Sequence, residues 1–584
     1  MKTYGAVATP RALALSILLA STSACAGYNM DDAAVAQDSA DLIITNARIY
    51  TVEADQPWAE AVAIDDGKIV AVGAVSEMDS LRGDTTRIVD LGGRFLMPAF
   101  GDAHVHPILG GMAFSRCPLY EGDTIEDYQS IIKKCIAGSP GNGTIYGIGW
   151  QDSFFPPSGI PHKKWLDAVS TDRALIFKSV GGHSYWVNSK ALELAGITKD
   201  TPDPTNGVIN RDEAGEPIGA LQETAQDLVG ELVPVPSAAE MQQAIVYTAQ
   251  HFNSLGITSW HDAGIDLAAD GSSPTLDAYK AVLDKGALTS HVTIALKWEN
   301  GRALEQIPTI IDAVKRAEDW GLNAKYVKFY LDGVIPQKTA AMIEPYAHSH
   351  ERGPIQIQPD VLSAAITRLD AEGIQAHVHA IGDRATRVSL DAFAASLAKN
   401  GKTNRPMISH LNVVDPADQK RFGSLGVIAI FQPTWAANYG YMDLTKQAIG
   451  PVRSTYIYPT KSVQQQGALI AYGADWPVAT ANPILGLQTA VTRIDFKDMT
   501  DEPLLPEEVI TLDEAIRAHT VNVAYANHME DLTGSVKVGK SADLIVLDHD
   551  LFTLPAKEIS RAKVVVTMFR GKEVYGALDD LSAD

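Results

Sequence analysis

Met97-Pro98-Ala99-Phe100-Gly101-Asp102-Ala103-His104-Val105-His106-Pro107 carries an apolar run straight into His-x-His. Residues two apart on a β-strand point to the same face. Two imidazoles at the end of one buried strand therefore reach the same side, where they can hold one metal ion. A short motif of this kind also arises by chance, and two hydrogen-bonded histidines at a strand end look the same. What decides is whether further ligands stand in similar places downstream.

They do. Tyr326-Val327-Lys328-Phe329-Tyr330-Leu331-Asp332-Gly333 is β-rich, ends at a turn and sets Lys328 among apolar and aromatic neighbours. Gln375-Ala376-His377-Val378-His379-Ala380-Ile381-Gly382-Asp383 supplies a second His-x-His, and Pro406-Met407-Ile408-Ser409-His410 another histidine at a strand end. Leu469-Ile470-Ala471-Tyr472-Gly473-Ala474-Asp475 ends on an acid. The order is His-x-His, Lys, His, His, Asp, with room for a helical crossover between most of them.

That order resembles the amidohydrolase superfamily, whose metal ligands stand on barrel strands one, four, five, six and eight. The phrases Gly181-Gly182-His183-Ser184-Tyr185-Trp186, His379-Ala380-Ile381-Gly382-Asp383, Gly473-Ala474-Asp475-Trp476-Pro477 and Ser541-Ala542-Asp543-Leu544 narrow it. They are similar to the amidohydrolase-3 or YtcJ-like subgroup, which includes N-substituted formamide deformylases. The resemblance runs from about Asp41 onward.

It implies two divalent metal ions, most simply zinc, which suits neutral imidazole and carboxylate ligands. His104, His106 and Asp475 would hold one and His379 and His410 the other. Lys328 would bridge both as a carbamate formed with carbon dioxide. Burial favours the neutral amine that this chemistry needs, whereas an ammonium would repel the ions. The likeness further implies that metal-activated water attacks an amide carbonyl while Asp475 shuttles the proton. On strand five both His377 and His379 face inward; alignment with the family favours His379 and leaves His377 a supporting hydrogen-bonding role. His183 and Glu223 are candidates on the substrate side, and His261 for support of the ligands. Trp150, Trp298, Trp435 and Trp476 stand near strand ends, as pocket walls or as packing.

Working outward, eight barrel strands are expected near residues 95–106, 256–261, 291–298, 326–331, 374–379, 407–410, 427–432 and 468–475. Helical patterns between them argue for an α/β fold, a closed (β/α)8 TIM barrel. The count requires residues 107–233 to be an insertion after strand one. Residues 41–96 and 531–578 read as short strands that cannot bury a core separately, so both termini are expected to form one flanking β-sandwich. Residues 97–530 are the barrel with its insertion.

The N-terminus reads as a secretory signal: Lys2 and Arg11, an apolar stretch, then small residues up to Ala26. Cleavage after Ala26 and lipidation of Cys25 are both open, and residues 27–40 read as a tether. An exported, periplasmic or secreted enzyme follows, attached to a membrane only through a lipid on Cys25. In either case Cys117 and Cys135 remain as a pair suited to a disulfide.

With 584 residues, 46% of them hydrophobic, the chain is long enough for a large barrel and satellites. Its 48 basic and 71 acidic side chains leave a charge of −23, which repels a phosphate backbone. A small-molecule amide of an N-acyl or N-formyl amine or amino acid is the expected partner. A deaminase or cyclic-amide hydrolase on the same scaffold would usually work with one metal and without the bridging lysine. A non-catalytic binding protein would lack ligands, and none is missing here.

Overall fold

Eight parallel strands stand side by side in chain order: β1 (Phe100–Val105), β2 (Ile257–Ile265), β3 (His291–Lys297), β4 (Asn323–Tyr330), β5 (Gln375–Ala380), β6 (Met407–His410), β7 (Ile428–Phe431) and β8 (Leu469–Tyr472). The sheet closes where Val105 bridges Trp476 in parallel, flanked by Asp475 N–H to His104 O at 2.7 Å and His106 N–H to Trp476 O at 2.8 Å. This computed structural model describes residues 39–581, apart from 121, 157–158, 402–403 and 501. The expected signal segment, Cys25 and residues 27–38 of the expected tether lie outside the described residues.

Strands such as Ile428–Phe431 are buried throughout, because side chains fill the barrel and helices cover it. Helix Ala238–Ser254 before β2 starts on a reciprocal Ser237–Glu240 cap, and the helix before β7 stops at Gly426 in the left-handed conformation. Inside, the floor is apolar. Ala103, Ala295, Tyr326, Met407, Ile430 and Ala471 pack with Val523 and Ala526 of helix Val521–Ala526. Polar groups lie over that plug, and strand periodicity shows the layering on β5. Gln375 donates to Ala526 O at 3.2 Å, His377 meets His261, and His379 stands at the top.

Two boundaries differ from expectation. The run near residues 95–106 is two strands, not one. Phe95–Pro98 pairs with Leu544–Leu547 and Arg48–Tyr50, and Ala99 N–H reaches Asp543 O at 2.9 Å before β1 begins. The chain changes sheets at Pro98-Ala99, so Met97 and Pro98 belong with the flanking strands rather than the barrel. At the other end, the residue 40 assigned to the tether is ordered. Ala40 is buried and its N–H bonds Leu81 O at 2.9 Å.

The flanking sheets are a four-stranded one from residues 42–90 and a six-stranded one mixing both termini. Their shared core contains Ile44, Val62, Leu96, Val546 and Val566. Between β1 and β2 the chain builds a six-stranded sheet of its own, from Cys117–Pro118 to Pro217–Glu223. It has separate apolar clusters, one around Trp150, Phe177 and Trp186 and one around Ile176, Val187 and Leu221. Trp150 therefore packs this sheet and is not a cleft wall. A disulfide joins Cys117 to Cys135 in helix Ile125–Gly138. Helix Pro107–Ser115, which leaves β1, crosses helix Ala238–Ser254 closely. A Cβ at Gly111 would stand 2.5 Å from Ala244 O, so only glycine permits the approach.

Candidate metal centre and its cleft

The C-terminal ends of β1, β4, β5, β6 and β8 deliver the predicted side chains to one place. Asp475 lies three residues beyond the end of β8 rather than on it, at φ +56°, a strained conformation for a non-glycine residue. Its N–H bond to His104 O turns the carboxylate back toward β1. Asp475 Oδ1 stands 3.2 Å from His106 Nε2 and 3.4 Å from His104 Nε2, and Oδ2 lies 3.8 Å from His410 Nδ1. His104 Nε2 is also 3.1 Å from Lys328 Nζ. Donor atoms of His104, His410 and Asp475 all lie within 4.8 Å of one another. His379 reaches this group through His410, with ring centroids 4.4 Å apart. Its Nε2 lies 3.6 Å from Asp332 Oδ1.

His377 sits one layer lower, as expected of a supporting group. Its Nε2 lies 3.1 Å from His104 Nδ1, and its Nδ1 lies 3.2 Å from His261 Nε2. Ser409 Oγ bonds His104 Nδ1 at 2.9 Å, and Gln432 Oε1 bonds His410 Nδ1 at 3.0 Å. Such partners fix ring orientation, leaving the other nitrogen for a ligand.

Electrostatics favour a cation-binding state. Burial pushes His104 and His379 well below the usual imidazole range, assisted at His104 by Lys328 and at His379 by His410. Burial takes His410 down to about 3. These rings are neutral and carry lone pairs. Burial also lowers Lys328 to about 7 despite the nearby Asp475. Burial alone would raise Asp475, but His106, His410 and Lys328 hold it below the usual carboxylate range. Its Oδ1 is buried and aligned with no hydrogen-bond donor, close as the imidazoles stand. A buried carboxylate oxygen without an aligned donor is costly until something positive arrives. The grouped donors of His104, His410 and Asp475 therefore fit a divalent cation, with His106 close to Asp475, Lys328 beside His104 and His379 beside His410.

Three buried acids escaped the sequence reading. Asp102 accepts N–H bonds from His104 and Ala474, and thereby ties β1 to the segment after β8. Asp332 accepts from Ile381, Gly382 and Ala341 and so holds the β5 end against the β4 end. Burial raises both to about 7. Asp262 on β2 accepts from Tyr279 Oη at 2.8 Å, and burial raises it to about 6. Asp332 stood in a strand-end phrase, but Asp-Gly also signals a turn.

Over the centre lies a cavity of about 1210 Å³, walled by the barrel and the insertion together. Trp298, Trp435 and Trp476 line it. His183 and Glu223 are there as a pair, Nδ1 to Oε2 at 3.0 Å, and the His183 ring lies 5.2 Å from that of His379. Burial opposes the charge on His183, but Glu223 outweighs it and raises the pKa. Glu223 takes φ +50°, and its Oε1 is buried without a hydrogen-bond partner.

A closed barrel with this donor set at its C-terminal mouth defines a metal-dependent hydrolase. A model of the amidohydrolase family matches residues 87–575, and the chain belongs to that family, whose members hydrolyse carbon–nitrogen bonds. It is 29% identical to protein LONG AFTER FAR-RED 3 of Arabidopsis thaliana, over 92% of each chain. It is 25% identical to the N-substituted formamide deformylase of Arthrobacter pascens, over 91% of this chain and 97% of that one. An uncharacterized metal-dependent hydrolase from Pyrococcus horikoshii shares the fold, with a TM-score of 0.68, 23% identity, and coverage of 88% of this chain and 99% of that one.

Proposed function

We propose that this protein hydrolyses the amide bond of an N-acyl- or N-formyl-substituted amine or amino acid. The observation that carries this is the buried, near-neutral Lys328 amine set against His104 and facing Asp475 within the imidazole cluster. An unprotonated lysine can add to carbon dioxide: the Nζ–C bond forms, the amine loses a proton, and an anionic carbamate results. That anion would complete a bridging position between His104, His106 and Asp475 on one side and His379 and His410 on the other. Two divalent ions, zinc by the softness of the donors, are the proposed cofactors. When bound, such ions polarise a carbonyl and lower the pKa of water.

The chain's own groups supply the rest. Asp475, below the usual carboxylate range, accepts the proton of the attacking water and returns it to the leaving nitrogen. His183, its pKa raised by Glu223 against burial, stands over His379 to bind the carbonyl or its flanking group. The indoles of Trp298, Trp435 and Trp476 shield the bond from bulk water. The Cys117–Cys135 bridge supports export to an oxidising compartment.

The test is product release from a panel of N-formyl, N-acetyl and longer N-acyl amines and amino acids, with zinc and after chelation. Release of the free amine, abolished by the chelator, is expected. Ammonia released from a heterocycle would transfer the protein to the deaminases. Silence across the panel with metal-loaded protein would overturn the amide assignment.

A further inference from the structure

Lys178 is the cleft cation that the chemistry above does not use. It sits on strand Leu175–Ser179, paired on both sides by Ile145–Trp150 and Ser184–Val187, so its backbone is held firmly. Its side chain runs under the Gly181-Gly182-His183 turn. A Cβ on Gly182 would stand 3.6 Å from Lys178 Cε, and Gly182 takes φ +78° to make that turn. Lys178 lines the same cavity as His183, whose ring lies 5.2 Å from that of His379.

Among the described residues the Lys178 ammonium has no hydrogen bond and no salt bridge; the Tyr185 ring stands 5.9 Å from Nζ to centroid. The other cavity-lining cations are engaged or exposed. Lys297 pairs with Asp266 at 3.2 Å and Glu299 at 3.1 Å, Arg116 pairs with Glu240 at 3.5 Å, and Lys497 is exposed. Burial and the neighbouring Lys297 charge lower the Lys178 pKa, and Asp266 and Asp227 offset this only in part, neither forming a salt bridge with it. A shielded ammonium without a counter-ion is costly, and an arriving anion recovers that cost. In a chain of formal charge −23, such a cation opposes the prevailing field at one chosen point.

We infer that Lys178 is an anion subsite of the cleft, and that the substrate carries a carboxylate at the end remote from the scissile bond. This rests on the amide-hydrolase reading above. An ammonium is a compact charge on a flexible stem and accepts a carboxylate over a range of approaches.

The experiment uses N-formyl ω-amino acids of increasing chain length beside their ω-carboxamides, with metal-loaded wild type, Lys178→Met and Lys178→Arg. At one length the carboxylate should exceed its carboxamide in kcat/KM by roughly 10- to 100-fold, the worth of one charge-assisted hydrogen bond. Lys178→Met should remove that preference while leaving the carboxamide rate unchanged, and Lys178→Arg should restore part of it. No preference at any length, or one that survives in Lys178→Met, overturns the subsite while cleavage itself upholds the hydrolase. If nothing is cleaved, calorimetric binding of the same series decides. Carboxylate-selective binding lost in Lys178→Met upholds the subsite and removes only N-formyl compounds from the amide reading; unselective or absent binding overturns the subsite.

Discussion

Replacing Cys117 and Cys135 together by serine tests how the insertion is held. The bridge closes a loop with a sequence separation of 18. Loop-closure entropy for that length is about 11 cal/mol/K, or about 3 kcal/mol at room temperature. The observable depends on what unfolds. A cooperative unit the size of the insertion, roughly 130 residues, has an unfolding entropy near 0.27 kcal/mol/K, so its Tm falls by about 11 °C. If the whole described chain unfolds as one, the same loss is diluted to about 3 °C. The insertion has apolar clusters separate from the barrel core, so the larger shift is expected, in an early transition of its own. Trp150 and Trp186, both fully buried there, report it by fluorescence, and limited proteolysis within residues 107–233 gives a second reading. Because Tyr120 and Tyr146 of the same sheet region line the cleft, KM should rise while kcat holds. An unfolding profile identical to oxidised wild type, with unchanged proteolysis, would refute both the entropy estimate and the independence of the insertion.

Asp475→Asn keeps the shape of the side chain and removes the proton acceptor, so kcat should fall by roughly 10²- to 10⁴-fold with little change in Tm; turnover within a few-fold of wild type would exclude Asp475 as the proton carrier. Lys328→Ala should lower bound metal, with partial recovery by added short carboxylic acids; normal metal content by elemental analysis would contradict the bridging role. His519 concerns stability alone. Burial lowers it to about 4, so between pH 6.5 and 4 the unfolded chain binds the extra proton, and stability present above pH 6.5 is lost as pH falls. His519→Phe should recover up to ~3 kcal/mol of that loss in urea titrations at pH 4; parallel pH curves for variant and wild type would show that the ring titrates normally.

Much of this architecture was legible because ligands in a parallel barrel must sit at strand ends, and strand ends show as apolar runs broken by a polar residue. The strand-end positions of His104, His106, Lys328, His379 and His410 were read in that way, and the alternation on β5 explains why His377 lies below His379. The change of sheet at Pro98-Ala99 was hidden, since Phe95–Pro98 and Phe100–Val105 have the same apolar texture and differ only in distant partners. Asp102 and Asp332 were hidden for another reason. Their work is to accept backbone N–H groups from segments hundreds or tens of residues away, and no local pattern records that. The sequence leaves Trp150 open between cleft and core, because a strand-end tryptophan looks the same in either place, and the structure puts it in the core of the insertion.

The close crossing at Gly111 and Ala244 has a consequence for how such enzymes diversify. The segment between the two crossing helices leaves the barrel immediately after His106 and returns just before β2, so its two ends are pinned together whatever lies between. That segment carries Lys178, His183 and Glu223, and apart from the His104–His106 pair at its threshold it carries none of the candidate ligands. On the proposed reading, these substrate-side residues and most of the candidate ligands stand on separate stretches of chain, although Trp298, Trp435 and Trp476 of the barrel line the same cleft. A segment anchored in this way is a natural unit for a protein engineer to exchange, with the contacts of His183 to His379 and of Asp152 to Gln337 as the points to rebuild.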